Sequence, residues 1–472
     1  MSGFMRRKPI GGETHRADRL PPTLSWPHLV ALGVGAIVGT GILTLIGVGA
    51  DRAGPSVLLS FGIAGAVCAC AALAYAELAA MLPASGSAYS YSYSALGEIF
   101  AWVVGWSLIL EYSLVVSTVA VGWSGYASPL LGGLGFPMAL TQGPEMGGII
   151  NLPAIFIIAV VTGLLLLGTH ESARVNTILV IVKIATLSLF VAVALPQFDA
   201  ANLSPFMPYG FGASPGPDGI QRGVMAAAAI IFFAFYGFDA ISTAAEETKR
   251  PERDLAIGIV GSMLVCTLIY VLVAAAAIGA IPFKGFADSP EPLALILREL
   301  GRPGVAKIVA TAAVIALPTV LLAFLYGQSR IFLAMARDGF LPTSLAKISS
   351  RGTPARITTA TAILVAILAG LLPIGEIAAL ANAGTLIAFM AVGACLIVLR
   401  RRRPDLKRPF RTPAGQLVGL GAVLGCLYLF ISLPLQTLLW CLAWNAIGVL
   451  IYIGYARRHS VLGQGEQEAG SA

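Results

Sequence analysis

Charged residues are scarce in this sequence. Asp, Glu, Lys and Arg make up 11% of its 472 residues, while 57% are hydrophobic and the mean hydropathy is +0.86. Soluble globular proteins carry about 25% charged residues. The scarcity excludes an ordinary soluble domain and favours an integral membrane protein.

Cysteine and histidine are also few, and neither is clustered. The six cysteines all lie within apolar runs, His170 lies in a loop, and the other histidines lie near the chain ends. A disulfide framework or a zinc site needs such residues grouped in polar loops. We therefore expect no metal and no cofactor.

Because no nucleophile and base occur at a recognisable spacing, we also expect no catalytic residues and no enzymatic activity.

Further absences narrow the function. No Walker A motif occurs, so an ATP-driven pump would need a partner for its energy. No cleavage site follows a short apolar core, so we expect the first apolar run to stay in the membrane. The net charge of +7 forms no continuous basic face, so we expect no nucleic-acid partner. Residues 212–216 match G-x-S-x-G, but they lie in a Pro-rich loop, and we interpret the match as chance.

Long apolar runs recur along the whole chain. A bilayer core of about 30 Å is crossed by about 20 apolar residues in a helix. The sequence therefore predicts an all-α, polytopic membrane protein with about twelve transmembrane helices. They are expected at 27–50, 56–81, 100–125, 150–168, 178–195, 223–243, 256–281, 308–326, 357–372, 377–399, 416–433 and 437–455.

Basic residues are distributed unevenly between the loops. They crowd residues 6–8, 249–253 and 400–411, whereas the loops at 127–148, 373–376 and 434–436 contain none. The positive-inside rule then predicts a protein of the cell (inner) membrane with both termini cytoplasmic. Exceptions on the outer side are Arg298, Arg302 and Lys307, in a longer segment where we expect a surface helix.

These signals divide the chain into four parts. We expect cytoplasmic segments at 1–26 and 457–472, a transport core at 27–413, and two additional helices within 414–456. Membrane lipids surround such a protein, and its oligomeric state stays open.

Glycines cluster in the first predicted helix, at Gly33, Gly35, Gly39 and Gly41. Two interpretations stay open. Small residues four apart allow close helix packing. Alternatively, the helix is interrupted at 39–41, where free amide groups at the start of a half-helix would favour an anionic group such as a carboxylate.

The sixth predicted helix contains a second irregular stretch, FAFYGFD at 233–239, in which Gly237 and Asp239 interrupt an apolar span. Interruptions at corresponding positions of two halves indicate the substrate site of an inverted-repeat transporter. Helices one to five and six to ten would be the repeats. Asp239 would either gate the site or cap the second half-helix.

Two ionisable residues lie within predicted membrane helices. Lys183 in helix five shares a face with Asn176 and Thr186, and Glu111 in helix three shares a face with Ser107 and Thr118. Such residues indicate a functional site by default. For Lys183 the alternatives are proton exchange or a static, snorkelling cation. For Glu111 they are a proton partner, an attraction for a cationic side chain, or a structural hydrogen bond.

Three other acidic residues are interpreted as structural. Glu77, near the end of helix two, and Glu246 and Glu247, after the break in helix six, are expected to tie helices together.

Several motifs together resemble the cationic amino acid transporter family, bacterial type, of the amino acid, polyamine and organocation superfamily. They are GVGAIVGTGI at 33–42, YAELA at 75–79, PASGSAYSY at 83–91, EY at 111–112, FAFYGFD at 233–239, AEETK at 245–249, YGQSR at 326–330 and the basic block at 400–413. The resemblance covers 27–413. It implies a LeuT-like fold of five plus five helices, with two C-terminal helices added, and proton-driven uptake of amino acids.

The resemblance also implies which residues bind the substrate. Its carboxylate-binding stretch falls on Gly39, Thr40 and Gly41. The carbonyls for the amino group would come from Ile37, Phe233, Ala234 and Tyr236, with Phe233 as an aromatic lid. Tyr236 departs from the smaller aliphatic residue usual in the family. Lys183 resembles the lysine that replaces the sodium ion of other LeuT-like transporters.

The expected function is secondary active transport of L-amino acids, by proton-coupled symport with alternating access. The partners would be an amino acid and protons. Alternatives are an exchanger without net proton coupling and an amino-acid sensor without transport. No acidic residue occurs at 317–321, which favours a neutral or broad substrate over a cationic one.

Overall fold

The computed structural model describes residues 5–10, 20–132, 136–144, 147–216, 219–287, 289, 291–371 and 374–464. Within these ranges, the side chains of residues 40, 129–130, 132, 169–172 and 374–379 are outside the description. The predicted terminal segments 1–26 and 457–472 and the loops 127–148 and 373–376 therefore lie partly outside the described residues.

Nearly all regular structure in the described ranges is helical. The helices are α1 (Trp26–Ile37), α2 (Thr40–Leu43), α3 (Leu45–Ala53), α4 (Val57–Met81), α5 (Ala88–Ala95), α6 (Glu98–Gly132), α7 (Leu152–Leu167), α8 (Thr169–Ala194), α9 (Val224–Phe235), α10 (Asp239–Thr243), α11 (Pro251–Ala280), α12 (Pro292–Glu299), α13 (Pro303–Ala316), α14 (Pro318–Arg337), α15 (Ala355–Leu371), α16 (Ile374–Arg402), α17 (Gly415–Ile431), α18 (Leu435–Ile451) and α19 (Arg457–His459). A hairpin joins β1 (Ser214–Pro215) to β2 (Gln221–Arg222). Ser214 is thus exposed in a strand, without the turn into a helix that a nucleophile elbow requires.

The predicted membrane spans are confirmed. In the described part of the chain, eight stretches are long and apolar enough to cross a bilayer, and four shorter apolar helices lie at Trp26–Ile37, Leu152–Leu167, Ala355–Leu371 and Gly415–Ile431. The apolar stretch of Val224–Thr243 is 94% buried, whereas that of Leu435–His459 is 22% buried. Helix six therefore lies at the centre of the bundle, and helix twelve presents most of its apolar surface outward, as a lipid-facing helix does.

Both predicted helix interruptions are present. Helix one ends at Ile37 and resumes at Thr40, with Val38 in an extended conformation. Helix six ends at Phe235, and the chain passes through an extended Tyr236 before α10 begins. A short additional helix, α12, lies in the segment where a surface helix was expected.

Helix eight differs from its prediction in two ways. Pro318 separates α13 from α14, because proline cannot donate the backbone hydrogen bond that continues a helix. Helix α14 also continues to Arg337, well beyond the predicted end at 326. The added turns contain Gln328, Ser329 and Arg330, all of them buried.

The short helix α5 was not predicted. It lies between helices two and three and is buried along most of its length, packing against α6 and α16.

The residue before α1 and the segment after α10 are joined by a parallel β-bridge between Leu24 and Thr248. The amides of Thr23 and Leu24 donate to the carbonyl of Glu247 at 2.9 and 2.8 Å, and the amide of Lys249 donates to the carbonyl of Leu24 at 2.8 Å. These bonds attach the base of α1 to the segment that follows α10.

Acidic residues join helices on the side where the chain begins. Glu77 accepts from Arg400 at 2.5 Å and from the amide of Thr412 at 2.7 Å. Glu246 accepts from Arg337 at 2.9 Å. Glu98 accepts from Ser460 at 2.9 Å and lies 3.9 Å from Arg6, so both ends of the described chain contact the same carboxylate. These are the tying positions that the sequence indicated for Glu77 and Glu246.

Glu247 and Arg330 form an ion pair in the interior. The guanidinium donates twice to the carboxylate, at 3.0 Å each, and the two side chains are 0% and 2% exposed. The hydroxyl of Tyr326 donates to the same carboxylate, and the guanidinium stacks 3.7 Å from the centre of the Tyr326 ring.

We expect Arg330→Met to destabilise the protein by about 3 to 5 kcal/mol, because it leaves a buried carboxylate without its cation. Thermal unfolding in detergent measures this. Arg403→Met is the control, since its pair with Asp405 is exposed to solvent and such pairs contribute little to stability. The double variant Glu247→Leu with Arg330→Met should recover much of the loss. Equal melting temperatures for Arg330→Met and Arg403→Met would contradict this assignment.

Candidate functional site

The two interrupted helices touch at their breaks. A Cβ on Gly41 would lie 2.6 Å from the Cβ of Ala234, and one on Gly237 would lie 2.9 Å from the Cβ of Ala36. Gly237 also has a φ of +118°, which side chains rarely adopt. Glycine is therefore required at both positions for the two breaks to approach.

Tyr270 of α11 joins the ends of the two half-helices. Its hydroxyl lies 2.6 Å from the carbonyl of Ile37 and 2.9 Å from that of Ala234, within hydrogen-bond reach of both. These are two of the carbonyls that the family resemblance assigns to the substrate's amino group. The sequence analysis missed this residue, although a buried tyrosine in an apolar helix needs a polar partner and could have signalled the contact.

A small cavity lies between the breaks, with a volume of about 10 Å³, which is room for about one water molecule. Its lining residues are Ala36, Ile37, Gly39, Gly41, Val115, Phe233, Tyr236, Val320 and Phe324. All nine are buried, so the cavity is closed to both sides.

Five of the seven residues predicted to bind substrate line this cavity: Ile37, Gly39, Gly41, Phe233 and Tyr236. Ala234 lies behind it, against Gly41. The side chain of Thr40 is outside the described residues.

Helices three and eight supply lining residues that the sequence analysis did not name. They are Val115 from α6, and Val320 and Phe324 from α14. None of the lining residues is charged. This agrees with the absence of acidic residues at 317–321 and gives a guanidinium no partner in the wall of the cavity.

Aromatic rings form one side of the cavity. The rings of Phe233 and Tyr236 meet edge to face with centroids 4.9 Å apart, and Tyr236 meets Phe324 at 5.9 Å. Tyr236 is 2% exposed, and its hydroxyl has no hydrogen-bond partner among the described residues.

Lys183 reaches the end of α1 from α8. Its ammonium donates to the carbonyl of Gly35 at 3.0 Å, to the carbonyl of Val38 and to the hydroxyl of Thr319 at 2.5 Å. The side chain is 2% exposed and therefore does not snorkel to the surface. Three acceptors match the three N–H donors of an ammonium, so this geometry fits the charged lysine.

The rest of the predicted polar face is also buried. Asn176 donates to the carbonyl of Ala31 at 3.0 Å, while the hydroxyl of Thr186 bonds within its own helix. Asn176 also lies against Gly35, where a Cβ would meet its side-chain oxygen at 2.7 Å. The glycines of helix one thus divide into two groups: Gly33 and Gly35 allow close packing, and Gly39 and Gly41 lie at the break.

Asp239 stabilises the break in helix six. Its carboxylate accepts from the amide of Gly237 at 3.0 Å and from the hydroxyl of Tyr112. The side chain is 1% exposed. These contacts stabilise the turn between α9 and α10, but they are not the hydrogen bonds of a helix N-cap.

Glu111 is buried in the bundle, and neither carboxylate oxygen has a hydrogen-bond partner among the described residues. Thr385 lies beside it, but its hydroxyl lies 3.2 Å from the carbonyl of Ala381, as a donor within its own helix. Gly384 lets α16 approach, since a Cβ there would lie 3.0 Å from the Cβ of Glu111. Glu111 precedes Val115 by one helical turn and so lies one turn beyond the cavity wall.

Among the described residues, no group of three or more His, Cys, Asp or Glu side chains is arranged to hold a metal ion. The six cysteines form no disulfide, and five of them are buried. His170 has its side chain outside the described residues.

Apolar helices interrupted at two points, with a closed cavity between the breaks, define a polytopic membrane protein of the broken-helix transporter class. The comparison with known families agrees with this class. The chain belongs to the amino acid permease family, whose sequence profile matches residues 24–454. The resemblance inferred from the motifs is thereby confirmed.

The relatives of this chain are transporters with different named substrates. It is 47% identical to the branched-chain amino acid permease BcaP of Bacillus subtilis (strain 168), over 92% of this chain and 93% of that protein. It is 41% identical to the methylthioribose transporter of the same organism, over 98% and 100%. It is 36% identical to the vacuolar cationic amino acid transporter 4 of Arabidopsis thaliana, over 86% and 68%.

We expect Gly41→Ala to destabilise the protein by about 1 to 3 kcal/mol, because the added methyl group overlaps the backbone of Ala234. The melting temperature in detergent measures this. Gly62→Ala is the matched control, since a Cβ there meets nothing within 4 Å. It should leave the melting temperature unchanged or raise it slightly. A Gly41→Ala protein as stable as Gly62→Ala would show that the two breaks do not touch.

Proposed function

We propose that this protein is a secondary active transporter that carries L-amino acids across the cell (inner) membrane by proton-coupled symport. The observation that carries the proposal is the closed cavity between the two breaks, because residues predicted independently to bind the substrate line it together. Membership of the amino acid permease family and the amino acid substrates named for two of its relatives support an amino acid as the solute.

In this proposal the substrate lies between the breaks. Its carboxylate would meet the backbone amides at 39–41. Its amino group would lie toward the carbonyl ends of α1 and α9, which carry partial negative charge. Phe233 would close over it. The uncharged wall of the cavity favours a neutral side chain.

Lys183 would couple transport to protons through the end of α1. As an ammonium it has a donor for each of Gly35, Val38 and Thr319, and as a neutral amine it has one donor fewer. Loss of the proton would therefore loosen α1 from α8 and α14. Substrate and proton would both favour the closed state, because each binds to the break that the closed state assembles.

Alternating access would then move the interrupted helices relative to their surroundings. This proposal includes a transport core at 27–413 with two inverted repeats, added helices within 414–456 and a cytoplasmic orientation of both termini. It also includes the absence of enzymatic activity and of a cofactor.

Two alternatives use the same cavity. An exchanger would bind the amino acid without net proton coupling, and a sensor would bind it without transport. The buried ammonium at the end of α1 favours the symporter, because a static cation would be costly inside the membrane.

The test of coupling is uptake of labelled amino acids into proteoliposomes, with and without an inward proton gradient. We expect wild type to accumulate substrate with the gradient and Lys183→Ala to lose at least about 90% of that accumulation. Exchange against internal amino acid should persist in the variant and shows that the variant is folded.

Lys407→Ala is the control, because the side chain of Lys407 is 83% exposed. It should accumulate substrate as wild type does. Gradient-driven accumulation retained in Lys183→Ala would end the role assigned to Lys183. Wild-type uptake that ignores the gradient but needs internal amino acid would make the exchanger correct.

Glu111 is proposed as a second proton-coupling residue, because its carboxylate is buried without a partner one turn from the cavity. Glu111→Gln keeps the shape of the side chain and removes its proton exchange. We expect gradient-driven accumulation to fall severalfold while exchange of neutral amino acids persists. If both fall together, Glu111 has a structural role; if neither falls, it has no part in transport.

A further inference from the structure

We infer that Tyr236 makes the cavity selective for short L-amino acid side chains with a hydroxyl group, such as threonine, over aliphatic side chains of the same shape. This inference rests on the proposed function, since it names the substrate class of the same cavity. Its basis is a buried hydroxyl at an otherwise apolar subsite.

The first observation is the state of the Tyr236 hydroxyl. Tyr236 is 2% exposed, lines the cavity, and donates no hydrogen bond within the described part of the chain. Most buried tyrosine hydroxyls have a partner, and an unsatisfied one is costly. A ligand that supplies a hydrogen-bonding atom would remove this cost.

The second observation is the character of the remaining wall. Val115, Val320 and Phe324 complete the side-chain end of the cavity, and they offer no hydrogen bond from their side chains. Tyr236 is therefore the side chain in this wall that can distinguish a polar from an apolar substrate atom.

The third observation is size. The ring of Tyr236 is held between Phe233 and Phe324 by edge-to-face contacts, and the cavity has a volume of about 10 Å³. Because the ring leaves little free space, we expect a substrate atom that bonds its hydroxyl to lie near the substrate's β-carbon. Threonine places a hydroxyl there, whereas valine has a methyl group in the same position.

A competing role for the hydroxyl lies within the protein. Glu111 and Asp239 are the acidic groups that act electrostatically on it. Asp239 is already bonded to Gly237 and Tyr112. Glu111 is unpartnered, so a bond from Tyr236 to Glu111, direct or through water, is the alternative that the experiment has to separate from substrate recognition.

The experiment measures how unlabelled threonine and valine inhibit uptake of labelled alanine into proteoliposomes. In wild type, threonine should inhibit at about one tenth of the valine concentration, the effect of one hydrogen bond to a buried group. In Tyr236→Phe, which removes the hydroxyl and keeps the ring, the two should inhibit the remaining alanine uptake at concentrations within about twofold of each other.

Tyr91→Phe is the matched control, since Tyr91 is a buried tyrosine outside the cavity lining. It should keep the wild-type ratio. A wild-type protein that takes up alanine but binds valine as well as threonine overturns the inference alone. An unchanged ratio in Tyr236→Phe also overturns it and assigns the hydroxyl to Glu111. If wild type takes up no labelled amino acid, the proposed function itself fails.

Discussion

Backbone groups released inside a membrane have to be satisfied within the protein, and this constraint organises the centre of the bundle. The breaks in helices one and six leave carbonyls without partners in their own helices. Side chains from two other helices meet them: the hydroxyl of Tyr270 contacts the carbonyls of Ile37 and Ala234, and the ammonium of Lys183 contacts two further carbonyls of α1. These contacts stabilise the two interruptions, which a continuous helix would not contain. The cavity lies between those interruptions.

The two donors differ in what they can do afterwards. A tyrosine hydroxyl is neutral and keeps its donor throughout the physiological pH range, whereas a lysine that loses its proton loses its charge and one donor together. The same helix end is thus stabilised by one constant contact and one variable contact. The variable contact lies on the side of α8 and α14, and the constant one lies on the side of α11. Because only the contact on the side of α8 and α14 can vary, a change in the protonation of Lys183 would act on the end of α1 from that side.

Much of this arrangement follows from local sequence signals. The twelve spans follow from apolar length, the two breaks from Gly39, Gly41 and Gly237, and the inward face of helix five from the helical period, so the structure agrees with each. Contacts between distant segments were not predictable in this way, and Tyr270 is the clearest example. Helix eight was predicted too short because hydropathy treats each residue alone, whereas Arg330 is buried by virtue of a partner in another helix.

Helices one and six are attached to each other at three heights: at Leu24, at the close approach of Gly237 to α1, and at Gly41. Two helices attached to each other at three points along their length cannot rotate independently. They form a single rigid unit. Any movement that opens the cavity has to shift this pair of helices relative to α6, α8 and α14. Those three helices contribute Val115, Lys183 and Val320 to the region around the breaks. The surface against which the two helices pack therefore also supplies wall residues of the cavity and the ammonium at the end of α1.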